Sequence, residues 1–232
     1  MVKHFVSLRY IYKAMAKKKT ITANDIIAWY MDYVLEHNQH PKSVYTFAKA
    51  NNFEEPLFYT HFGSFEAIEK HIFKAFFDNT ITILEKNEDY NTYNSRNKLL
   101  AFYFTFFENL TANRSYVVYA LNKHKNSLKN LTVLSQLKRH FSKYIDALGI
   151  EKLEIKQVQI EKIQTKAISE SAWIQLLITM KFWLDDTSPN FEKTDIFVEK
   201  SVNTSFDSLN VAPIKSVIDL GKFLFKETMH RN

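Results

Sequence analysis

Breakers are scarce in this chain, and their scarcity constrains its fold more than any other feature. Only three glycines (Gly63, Gly149, Gly221) and four prolines interrupt 232 residues. These are the residues that end helices and shape the tight turns of sheet proteins. Long stretches without them favour helices over many short strands, so the expected class is all-α. Phenylalanine and tyrosine are abundant, with 20 and 12 copies. The core should therefore be rich in rings and able to line a roomy apolar interior. At this length one large domain, or a small domain joined to a larger one, fits equally.

Several chemistries drop out at once. The chain has no cysteine, which excludes disulfides, thiolate zinc sites and cysteine nucleophiles and fits a reducing cytoplasm. The longest apolar run, residues 171–180, is about half of the ~20 residues that a membrane-spanning helix needs, so no membrane insertion is expected. Residues 1–14 are basic and aromatic but lack the continuous apolar core of a signal peptide. Met15 begins a plausible start of its own, and the residues before it are expected to be a disordered or extraneous extension. There is no glycine-rich phosphate loop and no Gly-x-Ser-x-Gly elbow. His37 and His40 straddle a helix break, while His61, His71, His124 and His140 have no ligand-like spacing with carboxylates. No metal, no cofactor and no enzymatic activity are expected.

Charge is unevenly spread. The whole chain carries a formal +6, yet the first fifty residues alone hold eight basic side chains against three acidic ones. Lys17, Lys18 and Lys19 form a basic arm that can follow a phosphate backbone; from charge alone a solvated tail fits as well.

Periodicity places a first helix at residues 22–37, capped by Thr22 or Asn24, with Ile26, Ile27, Tyr30 and Val34 on one face. Pro41 is expected to open a second helix with Val44, Phe47 and Ala48 turned inward. Asn51 and Asn52 form a turn, and Pro56 sits in the first turn of a third helix that packs through Leu57, Phe58 and Phe62. A fourth helix is expected from Phe65 to about Glu85, with Ile68, Ile72, Phe76 and Ile83 on a stripe. Further helices are expected at residues 98–110, 113–123, 128–148, 155–184, 191–209 and 213–228. The organisation is then a flexible basic extension (1–20), a helix-turn-helix domain (21–66) and a helical body (67–232).

The run Asn-Asn-Phe at 51–53, Phe-Tyr-Thr-His-Phe at 58–62 and Gly-Ser-Phe-Glu at 63–66 resembles the TetR family of bacterial repressors over residues 21–83. That resemblance implies a homodimer whose third helices enter the DNA major groove, with a body that binds a small hydrophobic effector and dimerises through the helices at 155–184 and 191–209. Carried onto this sequence, it assigns DNA contact to Lys42, Ser43, Glu55, Leu57, Tyr59, Thr60 and His61, with the arm at Lys17–Lys19 beside them. Four positions depart from the family pattern. Glu54 stands where a capping serine is usual and Glu55 follows it, both bringing negative charge, although acidic groups suit a helix start. Leu57 replaces a small hydroxyl, and Phe65 replaces a lysine.

In the body, the aromatic cluster Phe102, Tyr103, Phe106, Phe107, Tyr116 and Tyr119 stands where the family lines its effector pocket, with Trp173 on a facing helix. Plain core packing explains the same rings; as a pocket, tyrosine hydroxyls, Asn109 or Arg114 would fix a polar end. The segment around Trp183, Asp185 and Ser188 also resembles, faintly, the lipid-binding ubiquinone-biosynthesis proteins of the same architecture. That likeness implies an alternative: a lipid or isoprenoid carrier that has lost DNA binding. Asp185 and Asp186 themselves read as turn and cap residues.

Overall fold

The computed structural model describes residues 21–122, 130–150 and 158–209, apart from the side chains of 158–163 and 209. The basic arm and the helix expected at 213–228 lie outside these residues. Contacts divide the chain into two units, with the boundary in sequence between Ser64 and Phe65. The described residues are all-α, with short 3-10 turns between helices.

The head holds α1 (Ala23–His37), α2 (Val44–Ala50) and α3 (Glu55–His61). Thr22 starts α1 through a capping box: its backbone N–H donates to the Asp25 carboxylate at 2.8 Å, and its Oγ1 accepts from the Asp25 N–H at 3.3 Å. Asn38 closes the helix in the left-handed region, at φ 51.

The second helix departs from expectation at its start. Ser43 is its N-cap, and Ser43 and Thr46 exchange backbone-to-hydroxyl hydrogen bonds of 3.1 and 3.3 Å. Pro41 is buried ahead of the helix rather than opening it. The reciprocal cap satisfies two otherwise orphaned donors, which proline at this point would not do.

Residues 51–54 make the turn into α3. The Asn51 side chain donates to the Phe47 carbonyl at 2.9 Å, and Asn52 takes φ 56. Glu54 stands at the N-cap of α3 without a side-chain cap bond, so its carboxylate acts there only through the helix dipole. Beneath these helices Phe47 is the hub, edge-on to Tyr30, Tyr33, Phe53 and Phe58 at centroid distances of 5.9–6.5 Å. Trp29 stacks on Phe53 at 5.6 Å.

The body begins with α4 (Phe65–Glu85) and continues through a 3-10 turn (Glu88–Thr92), α5 (Ser95–Ala112) and α6 (Arg114–Asn122). A second 3-10 turn (Leu131–Leu134) leads to α7 (Ser135–Ala147) and α8 (Val158–Asp185); a third (Pro189–Phe191) precedes α9 (Glu192–Leu209). Helix α4 packs on α5 and α7, α8 lies on α7, and α9 closes on α5 and α8. The buried row of α4 runs Ile68, Ile72, Phe76, Thr80, Leu84 in steps of four. Ile83, expected on that row, lies beside it and is 44% exposed. Phe102 anchors the interior, against Phe77 at 5.6 Å, Phe106 at 5.4 Å, Phe141 at 5.3 Å and Tyr144 at 4.9 Å.

Because Phe47 joins all three head helices through aromatic edges, Phe47→Ala should cost about 3–5 kcal/mol of head stability. Urea unfolding followed by circular dichroism measures it; an unchanged profile would remove Phe47 as the hub.

Candidate functional site

The outward side of α3 presents Tyr59, Thr60 and His61 to solvent, while Glu55 and Leu57 are half-buried. The Tyr59 hydroxyl donates to Glu55 Oε1 at 3.4 Å, one turn back. Partial desolvation and the Glu55 carboxylate hold this phenol above its ordinary value, so it stays a neutral donor. Thr60 Oγ1 donates to the Leu57 carbonyl at 2.7 Å. Lys42 and Ser43 are exposed at the start of α2, the serine hydroxyl being engaged in its cap. The structure thus brings Glu55, Leu57, Tyr59, Thr60 and His61 together on one short helix, and Lys42 with Ser43 on its neighbour. Lys17, Lys18 and Lys19 lie outside the described residues. Sequence reasoning passed over Tyr45, 57% exposed on α2, with the Lys49 ammonium 6.0 Å from its ring centroid. Their i, i+4 spacing was the available signal.

Electrostatically this part of the chain is acidic. Across residues 21–64 two lysines (Lys42, Lys49) stand against five carboxylates (Asp25, Asp32, Glu36, Glu54, Glu55), a net charge of −3 with histidine neutral. Residues 1–20, by contrast, carry six basic side chains and no carboxylate.

In the body, Phe102, Tyr103, Phe106, Phe107, Tyr116 and Trp173 are buried, and Tyr119 is half-buried. Tyr103 stacks on Phe107 at 6.1 Å, and Phe107 meets Trp183 at 6.1 Å. Phe141 on α7, which sequence reasoning did not single out, bridges Phe102 to Trp173, the latter at 6.4 Å. The spacing of Leu137, Phe141 and Ile145 along one face of α7 was its signal. Tyr116 and Tyr119 form a second group against Phe73, 6.5 Å from Tyr116.

Two of the polar groups expected to hold a ligand are committed elsewhere. Asn109 donates to Thr80 Oγ1 at 3.0 Å and accepts from the Asn79 amide at 2.9 Å. The Arg114 guanidinium donates to the Trp183 and Leu184 carbonyls at 3.1 and 3.0 Å and lies over the rings of Trp183 and Phe191, 4.4 and 4.6 Å from their centroids. The tyrosines differ: among the described residues the buried hydroxyls of Tyr103 and Tyr116 have no hydrogen-bond partner.

The α8–α9 connection is built around Asp186. One carboxylate oxygen accepts from the Ser188 N–H and hydroxyl at 2.8 and 2.7 Å, the other from the Thr194 N–H and hydroxyl at 2.9 and 2.7 Å. Burial pushes its pKa up, but these four hydrogen bonds outweigh it and hold the carboxyl well below the usual carboxylate range. Asp186 is a helix cap.

A family model described as Tetracyclin repressor-like, C-terminal domain, matches residues 98–224, more than half of the chain. The chain belongs to that family. The tetracyclin repressor-like match starts within α5 and lies wholly in the body. No curated protein matches the chain and no solved structure does, so the likeness to ubiquinone-biosynthesis proteins finds no support. Among the described residues no helix is long and apolar enough to cross a membrane, and no cluster of three metal-ligating side chains occurs.

Asp186 sets a pH dependence with a definite sign. Its folded-state pKa lies below the reference 3.8, so its stabilising contribution is complete above that pH and is lost as pH falls toward the folded value. Asp186→Asn should weaken the fold at pH 7 and flatten this acid-side loss. Urea midpoints of both proteins at pH 7 and pH 3 test it; parallel shifts would remove Asp186 as the source.

Proposed function

We propose that the protein is a homodimeric transcriptional regulator of the tetracyclin repressor type, acting in the cytoplasm, whose body binds a hydrophobic effector that alters DNA affinity. The observation that carries this reading is the outward face of α3. Tyr59, Thr60 and His61 stand exposed on a helix held from beneath by Phe58, which is fully buried, beside a second helix whose capped start offers Lys42 and Ser43. Such groups position a protein on phosphates and base edges.

The deficit of positive charge in residues 21–64 gives the arm at Lys17–Lys19 the main share of phosphate attraction, since counterion release supplies most non-specific affinity. The dimer reading is supported by an apolar stripe on α8: Ile174, Ile178 and Phe182, spaced by four, are 55, 54 and 36% exposed, with Ile196 on α9 at 51%. Aligned exposed hydrophobes of this kind mark association surfaces, and two-fold pairs are the commonest assembly. An effector would act only through different affinities for the DNA-bound and free conformations. The same charge deficit favours one second reading, a lipid or isoprenoid carrier of this architecture that has lost DNA binding.

Binding to the DNA upstream of its own gene, measured at several salt concentrations, separates the two. The regulator reading expects a sequence-specific complex with a steep salt slope; equal binding to random DNA at low salt would overturn it, and co-purified lipid in native mass spectra would then favour the carrier. Glu54→Lys with Glu55→Lys should tighten binding to all sequences and steepen the slope by about 0.9 for each new phosphate contact. Ile178→Asp should shift the dimer toward monomer in sedimentation velocity, and an unaltered profile would move the interface elsewhere.

A further inference from the structure

Positive charge in residues 21–64 is confined to one element, which matters if, as proposed above, this head binds DNA. Lys42 lies just ahead of α2 and Lys49 in its last turn, while α3 and the turn before it carry no lysine or arginine. Any phosphate that a lysine or arginine of this stretch neutralises is therefore met from α2. Both lysines are exposed, and among the described residues neither is in an ion pair, although five carboxylates share the stretch. In the body, by contrast, Lys74, Arg96, Lys138 and Lys181 each meet a carboxylate.

Tyr45 gives Lys49 a neighbour suited to the same task. Its ring is 57% exposed, and the Lys49 ammonium lies 6.0 Å from the ring centroid. Among the described residues the Tyr45 hydroxyl has no hydrogen-bond partner. The hydroxyls of Ser43, Tyr59 and Thr60, by contrast, are engaged with Thr46, Glu55 and Leu57. Packing does not account for the pair. Tyr45 and Lys49 stand two positions before and two after the buried Phe47, which puts each about 160° around α2 from it. A ring that holds an ammonium restrains a flexible side chain, so less freedom is lost when that charge settles on an anion.

We infer that the outward side of α2 is a phosphate-binding edge, on which the Lys49 ammonium and the Tyr45 hydroxyl grip the DNA backbone, with Lys42 at its start. The edge carries no base reading. It fixes where the duplex lies, while the carboxylates and hydroxyls of α3 are left to face the bases.

Fluorescence anisotropy with the full chain tests this, using its own upstream DNA and a random duplex across a salt series. Lys49→Gln should lower the salt slope by about 0.9 on both duplexes and weaken binding about eightfold near 0.1 M salt. Tyr45→Phe keeps the ring and removes the hydroxyl; it should weaken both duplexes about fivefold without altering the slope. Both side chains are exposed, so thermal unfolding midpoints should match the parent protein. A parent that binds DNA together with an unchanged slope in Lys49→Gln would overturn the edge and leave the regulator reading intact. A loss confined to the upstream sequence would make the contact a base reading, and would overturn it too. So would a lowered midpoint with an unchanged slope, which would give the pair a structural role. No binding of the parent to either duplex at low salt would sink the regulator reading itself. Binding to phosphatidylglycerol vesicles in its place would assign the edge to a lipid surface.

Discussion

The geometry of the body depends on one side chain, Arg114. At the first position of α6 its guanidinium reaches the last carbonyls of α8, groups that no helix can satisfy internally. It does so while lying over the rings of both Trp183 and Phe191. The indole N–H of Trp183 donates in turn to Thr111 on α5, at 3.1 Å. A planar, permanently charged fork suits this position: its edge serves the carbonyls and its faces serve the rings. One residue thus ties α5, α6 and the α8–α9 corner together. The same clamp accounts for the strained backbone there. Phe191 holds φ 59, a region that bulky residues avoid, and only a surrounding that fixes its ring from outside keeps it there.

Much of this was legible in the sequence where the determinants are local. The apolar row of α1 and the ends of α4 follow from helical spacing, and Asp186 follows from the turn chemistry of its neighbours. Less visible were contacts made by residues far apart in the chain. Arg114 reads locally as an available cation, and only the approach of α8, about seventy residues later, commits it to backbone carbonyls. Asn109 is taken by α4 for the same reason. Pro41 misled because proline commonly opens helices, whereas here a Ser–Thr cap two residues on is the better start. Ile83 shows the limit of pattern alone: steps of three and four diverge by the last turns of a long helix, and packing selects one row.

The two units differ in what distinguishes them. In the head, sequence motif and backbone geometry agree, yet its described surface is acidic. In the body the family match is direct, while the individual rings are generic and the distinguishing features are the two tyrosine hydroxyls. Shape therefore speaks more clearly for the head, and chemistry for the body. A mechanism joining DNA contact to ligand occupancy needs both.

Three turns of the described chain are closed by asparagine in the left-handed region, at Asn38, Asn52 and Asn190, with φ of 51, 56 and 52; glycine takes that role at Gly149. Asparagine tolerates this conformation because its short amide can compensate locally, and it does not bring glycine's freedom to the unfolded chain. Each such exchange narrows the denatured ensemble, an effect on the order of 0.4–1 kcal/mol where the folded conformation accepts the side chain. The sparse glycine that first marks this chain as helical thus has a second meaning: part of its stability resides in how few shapes its loops can explore before they fold.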